Sequence, residues 1–204
     1  CGCAEEKKTD VRWATFNVRY DNPQDSLNNW QYRKDRVCQF IKDRELDIVG
    51  MQEVLHNQFQ DLRAGLPEYD GIGVGRDDGA KKGEYSPIYY DTEKLHMLQS
   101  GTFWLSENPD QPSKGWDAAY NRSCTYALFK TKKGGKKFWA LARTGQSTAL
   151  KGKDVSNGYI LLATACDGTL ATTAQFTSIR VVCNNTLAIA LRGQNSSAGV
   201  VKVP

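Results

Sequence analysis

Asn17 and Glu53 are the polar residues best placed to do chemistry, because each closes a short apolar run that reads as a buried strand. The run Val11 to Tyr20 (VRWATFNVRY) reaches its end at Asn17, and Leu46 to Met51 (LDIVGM) runs directly into Gln52-Glu53. Loops at strand ends are where ligand-binding side chains gather. A carboxylate and an amide oxygen on adjacent strand ends suit a hard cation such as Mg²⁺, with Mn²⁺ as the alternative. Such ions take oxygen ligands, commonly one or two carboxylates, and keep several waters. Both residue types also serve as turn formers and helix caps, so the plainer role stays open at both positions. Other chemistries find little support. The two histidines, His56 after Glu53 and His96 in a strand, read as structural. No CxxC occurs, and Cys38, Cys124, Cys166 and Cys183 read as small buried hydrophobes.

The elements that must position Asn17 and Glu53 follow from periodicity. After a polar loop containing Pro23, Trp30 to Arg44 carries Val37, Phe40 and Ile41 at helical spacing among charged residues, which predicts an amphipathic helix. A second helix is expected over Leu55 to Leu66, closed by Pro67. Strands are expected over Tyr85 to Tyr90 and Leu95 to Leu105. Cys124 to Lys130 should pair with Lys136 to Leu141 across a Gly134-Gly135 turn. Strand, helix, strand, helix and then a strand meander is the order of an α/β layered domain.

Composition divides the chain. Of its 204 residues 40% are apolar and 25% charged, and no apolar run exceeds five residues, far short of the roughly 18 a spanning helix needs. Residues 1–138 carry 21 Lys+Arg and 21 Asp+Glu, a balance of zero. Residues 139–204 carry the remaining 6 basic and 2 acidic groups, so the net +4 belongs entirely to them. That zero balance gives the first part no compositional bias toward nucleic acid.

Several ordered motifs agree on a family. Thr15 to Asp21 (TFNVRYD), then Trp30 and Arg33, then Asp47 to Val54 (DIVGMQEV) with Gln58, resemble the endonuclease/exonuclease/phosphatase superfamily. Ser100 to Ser106 (SGTFWLS), Gly115-Trp116-Asp117 and Arg122 are similar to its secreted Bacteroidetes-type branch. The resemblance spans about residues 11–138, the N-terminal half of such a protein. It implies half of a four-layer α/β sandwich and Mg²⁺-dependent hydrolysis of a phosphoester whose class stays open. It further implies that Glu53 is the principal metal ligand and that Asn17 positions metal or phosphate. Glu84 would orient a catalytic histidine, and Arg122 would bind a phosphate oxygen, a role its planar fork suits.

The second half of that family's chemistry is missing. The Asn-Thr-His, Gly-Asp-x-Asn and Ser-Asp-His segments expected after the strand at Lys136 do not occur, and Asp154 and Asp167 are the only acidic residues beyond 138. An incomplete catalyst is the expectation, because such groups act as a unit. From about Trp139 to Arg192 the sequence instead resembles a phage- and plasmid-type family of unknown function, with no activity to transfer. There, strands are expected over Tyr159–Ala165 and Gln175–Val182. A short helix is expected over Thr186–Leu191, capped by Asn184 or Asn185, and Gly193 to Gly199 reads as a polar tail.

The chain therefore reads as a chimaera: a tether over 1–10, a phosphoesterase-like half over 11–138, and a small α+β segment over 139–204. Its opening, Cys1-Gly2-Cys3 followed by Glu5, Glu6, Lys7 and Lys8, resembles a mature bacterial lipoprotein. Acylation of Cys1 would attach the chain to a membrane of the cell envelope. Two other functions compete with hydrolysis. One is a non-enzymatic protein keeping a residual metal or phosphate site. The other is nucleic-acid association through Arg143, Lys151, Lys153, Arg180 and Arg192 in a mobile-element context.

Overall fold

The computed structural model describes residues 11–115 and 118–143 in full, with the backbone of three later strands, 159–164, 187–191 and 199–203. Strand β1 (Trp13–Asn17) pairs parallel with β2 (Ile48–Gln52), Asn17 lying opposite Gln52. The crossover between them holds a short 3-10 helix (Pro23–Asn28) and helix α1 (Trp30–Asp43). Asn29 caps α1, its side chain accepting from the Gln31 N–H at 3.1 Å, which satisfies one of the helix's otherwise unpaired donors. Helix α2 (His56–Gly65) follows, and β3 (Tyr69–Ile72) and β4 (Ile88–Asp91) complete a sheet in the order β1-β2-β4-β3. A second sheet is antiparallel throughout: β5 (Leu95–Trp104), β6 (Ser123–Thr131), β7 (Lys137–Arg143) and β8 (Tyr159–Thr164), neighbours in that order.

Alternation along the first sheet builds three layers. One face presents Val49, Met51 and Tyr89 to Val37, Ile41, Phe59 and Leu62 of the two helices. The opposite face presents Ile48, Ile88 and Tyr90 to Ala127, Phe129, Phe138 and Ala140 of the second sheet. Helix, sheet and sheet make a partial version of the expected α/β sandwich. The second sheet is itself completed across the expected seam, because β8 pairs with β7 from Phe138↔Thr164 to Arg143↔Tyr159. Cys38 and Cys124 are buried free thiols, as their solitary spacing suggested, and burial pushes the Cys124 thiol up to about 12.

Three expectations change. The strand expected from Tyr85 begins only at Ile88. Tyr85 makes an isolated bridge to Val54, and Pro87 between them has no N–H to give a ladder. Strand β3 was not anticipated: YDGI is short and carries a glycine, yet a Cβ at Gly71 would stand 2.7 Å from the Tyr89 ring, so packing demands that glycine. The helix expected over Thr186–Leu191 is instead strand β9 (Leu187–Leu191), paired antiparallel with β10 (Gly199–Val203). LAIAL alternates strictly, so its Leu and Ile satisfy a period of two as well as a helical face. The β-branched Val200, Val201 and Val203 supply the partner, which decides between the two periods. The expected strand over Gln175–Val182, the Asn184/Asn185 cap and the Cys1 tether lie outside the described residues.

Candidate functional site

Parallel pairing of β1 and β2 brings Asn17 and Glu53 together at one end of the first sheet. Glu53 adopts φ 59°, in the left-handed region. That conformation costs an L residue roughly 1–2 kcal/mol and must be held by its surroundings. Asn17 Nδ2 donates to Glu53 Oε1 at 2.8 Å, and the Tyr20 N–H reaches Oε2 at 3.4 Å. Asn17 Oδ1 accepts from the Arg19 N–H at 2.8 Å, which fixes the orientation of the amide. Asn17 thus orients the carboxylate. Oε2, with one long contact, is the oxygen left most open to a cation.

The loop behind this pair is tied down by two side chains. Gln58, fully buried on α2, accepts from the Asp21 and Leu55 N–H groups, both at 3.0 Å, and donates to the Arg19 carbonyl at 2.9 Å. Arg33 donates to the Val18 and Asn28 carbonyls at 2.7 and 2.6 Å while its guanidinium stacks 5.5 Å from the Trp30 ring. Both residues belong to the sequence pattern quoted above, and both position the loop.

Glu84 and Arg122 complete the cluster. Arg76 Nη1 donates to Glu84 Oε2 at 2.8 Å. Burial pushes the Glu84 carboxyl above its ordinary range; Arg76 opposes that, Glu53 adds to it, and Arg122 opposes it again. Arg122 precedes β6 and is 9% exposed. Burial, and then Arg76, push its guanidinium below the usual arginine value. The Tyr120 ring lies against both cations, its centroid 5.3 Å from Arg76 Cζ and 5.8 Å from Arg122 Cζ. Among the described residues, Arg76 Nε, Arg122 Nε, Ser86 Oγ and Ser123 Oγ are buried without a hydrogen-bond partner. Such orphans are uncommon in folded proteins.

Asn17, Glu53, Glu84 and Arg122 therefore share one end of the sandwich. Glu84 faces Arg76 among the described residues, and no histidine stands beside it. His56 Nδ1 meets the Tyr85 hydroxyl at 2.8 Å, and that hydroxyl donates to the Ala80 carbonyl at 2.8 Å, a structural arrangement; His96 lies exposed on β5. No three His, Cys, Asp or Glu side chains group into an all-protein cage among the described residues. One carboxylate with retained waters is a donor set that Mg²⁺ accepts. Arg76 and Tyr120 were not singled out by sequence reasoning. The signal for Arg76 was Gly73-Val74-Gly75-Arg76, eight residues before Glu84, with Gly79 and Gly83 between.

That turn depends on Gly75. Its N–H donates to the Ala80 carbonyl at 3.0 Å, and a Cβ there would fall on the Lys82 backbone. Gly75→Ala is expected to cost about 1–3 kcal/mol of stability in urea unfolding, as overpacking against backbone does. A change below 0.5 kcal/mol (about the scatter of a neutral surface substitution) would show that the turn yields freely.

The comparisons with known proteins divide along the chain. A solved endonuclease/exonuclease/phosphatase protein from Bacteroides vulgatus is 73% identical with TM-score 0.66, covering 67% of this chain and 52% of its own. A mannosyl-6-phosphatase from Bacteroides thetaiotaomicron is 44% identical with TM-score 0.62, covering 64% of this chain and 49% of its own. An uncharacterized protein of Acanthamoeba polyphaga mimivirus is 30% identical over 121 residues, 56% of this chain and 45% of its own. The chain spans about half the length of the relatives it matches. A family model described as a domain of unknown function (DUF932) matches residues 119–204, beginning upstream of the expected seam and overlapping β6 and β7. Residues about 11–138 therefore resemble the N-terminal half of the endonuclease/exonuclease/phosphatase family in sequence and fold, and the last part of the chain resembles a second family, of unknown function.

Proposed function

We propose that the end of the sandwich carrying Glu53 and Arg122 is a Mg²⁺-dependent phosphoester site, with turnover well below that of a complete enzyme. The observation that supports this most is the Asn17–Glu53 pair, hydrogen-bonded at 2.8 Å across parallel strand ends with Glu53 at φ 59°. On this reading Glu53 Oε2 holds the cation, Mn²⁺ being an acceptable substitute, and Asn17 keeps the carboxylate aimed. Arg122, buried and without an ion pair among the described residues, binds a phosphoryl oxygen. A bound Mg²⁺ would polarise the phosphoryl group and stabilise the leaving oxygen. Glu84 keeps Arg76 oriented at the same site. The relative named as a mannosyl-6-phosphatase supports a phosphate ester as the ligand class. The described residues offer no general base beside Glu84, so slow hydrolysis is expected.

The test is Mg²⁺-dependent hydrolysis of a monoester, 4-nitrophenyl phosphate, and a diester, bis(4-nitrophenyl) phosphate, by the full chain and by Glu53→Ala. A slow rate that Glu53→Ala lowers at least tenfold supports the proposal; equal rates in the two proteins contradict it. A second reading, binding without turnover, is favoured by the engagement of Glu84 with Arg76. It predicts that Mg²⁺ and phosphate each raise the melting temperature although no product forms.

A further inference from the structure

We propose that a cavity on the side of the sandwich, separate from the phosphoester site, binds an uncharged saccharide. Strands β3 and β5 each end their sheet, and a cavity of about 640 Å³ opens between them, within the size range of small-molecule sites. The 75–83 turn contributes Asp78 to its wall, and the loop after β5 contributes Asp110. Asn17, Glu53, Glu84 and Arg122 do not line it. The polar groups that do are short of partners. Thr125 is 1% exposed, and its hydroxyl meets Thr102 Oγ1 at 3.4 Å, longer than the roughly 2.5–3.0 Å of an ordinary O–H···O bond. Neither hydroxyl has a further hydrogen-bond partner among the described residues, whereas a buried hydroxyl normally finds a good one. Asp110, exposed at the rim, makes no hydrogen bond or ion pair among the described residues. Asp78 Oδ1 accepts from the Ala80 and Lys82 N–H groups at 2.8 and 2.9 Å, which fixes the carboxylate and leaves Oδ2 open.

Charge and chemistry then select the ligand. Arg63, the cation among the described lining residues, is paired with Asp70 at 2.8 Å, and Lys82 stands near Asp78. A phosphate therefore finds no unpaired cation on the wall. An ammonium finds one unmatched carboxylate, Asp110, at an exposed position where an ion pair is worth little. What the wall offers in quantity is hydrogen-bond acceptors with their charge largely met, so the fitting ligand donates hydrogen bonds and carries no charge. Neighbouring sugar hydroxyls donate to the oxygens of a carboxylate and exchange bonds with the two threonines. The backbone N–H and C=O groups along two free sheet edges are further partners. The indole N–H of Trp104 is taken by the Arg76 carbonyl at 2.7 Å, so Trp104, with Ile72, gives the C–H face of a sugar an apolar surface.

The test is ligand-observed NMR titration of the full chain with maltose, cellobiose and mannobiose, and with spermidine as the cationic alternative. At least one disaccharide is expected to bind, with the same affinity in Glu53→Ala and in the absence of Mg²⁺. Asp110→Ala and Thr102→Val should each weaken that binding at least fivefold. Asp110 is exposed, so its truncation leaves the fold intact; should Thr102→Val lower the melting temperature, Asp110→Ala decides alone. No binding of any disaccharide would overturn the proposal and leave the phosphoester reading untouched. Binding that disappears in Glu53→Ala would put the sugar at the phosphoester site and overturn the separate cavity. Binding indifferent to both Asp110→Ala and Thr102→Val would overturn it as well. Spermidine binding more tightly than every disaccharide, and lost in Asp110→Ala, would assign the cavity to cations and overturn the saccharide.

Discussion

Truncating Phe129 to alanine is expected to destabilise the protein by about 3–5 kcal/mol, the usual cost of emptying an aromatic core position. Phe129 is fully buried, with its ring 4.8 Å from Tyr90 on the first sheet and 5.7 Å from Phe138 on the neighbouring strand. It is one of the largest side chains in the cluster through which the two sheets touch. The alanines around it, Ala127 and Ala140, are already small and cannot fill the space. Against a total stability of order 5–15 kcal/mol for an ordinary domain, such a loss should move the denaturant midpoint severely. Leu27→Ala is the control, because Leu27 is 82% exposed and should change stability by less than about 0.5 kcal/mol. Equal midpoints for Phe129→Ala and wild type would mean that the sheets do not pack as described.

Arg76→Met should cost about 3–5 kcal/mol at neutral pH, because it strands the largely buried Glu84 without its cation. The pH dependence gives this its signature. Burial already raises the folded Glu84 value above the ordinary 4.5, so the folded state binds the proton more tightly than the unfolded state. The penalty is therefore absent below about pH 4.5, grows as pH rises toward the folded value, and is complete above it. Removing Arg76 removes the chief opposing influence and extends that window upward. Arg76→Met should thus approach wild-type stability in acid and fall away toward neutrality. Adding Glu84→Gln should recover most of the loss, since the pair is coupled. A loss independent of pH would assign Arg76 a packing role alone.

What could be read from the sequence follows from how local each signal is. Strand ends at Asn17 and Glu53, the helix from Trp30 and the hairpin at Gly134-Gly135 are written in patterns of a few residues, and each occurs where expected. The parallel pairing that joins Asn17 to Glu53 was legible because a helix separates two apolar runs. Strand β3 was not, since its glycine is demanded by Tyr89, a residue eighteen positions away. Arg76 and Tyr120 were missed for the same reason: their meeting with Arg122 depends on the 75–83 turn reaching the second sheet, where the Trp104 indole donates to the Arg76 carbonyl at 2.7 Å. For β9, LAIAL satisfies two periods at once, and only its pairing with β10 decides between them.

On the proposed reading, Glu53 anchors a cation site at the end of the sandwich. Crystals of the full chain soaked in Mn²⁺ and measured for anomalous scattering test it without requiring turnover. An ordered ion is expected at roughly 2.1 Å from a Glu53 carboxylate oxygen, with water completing an octahedral shell. The same peak should be absent from Glu53→Gln crystals. No ion at Glu53 under saturating Mn²⁺, or an ordered ion bound by other residues with Glu53 free, would rule out that role for Glu53.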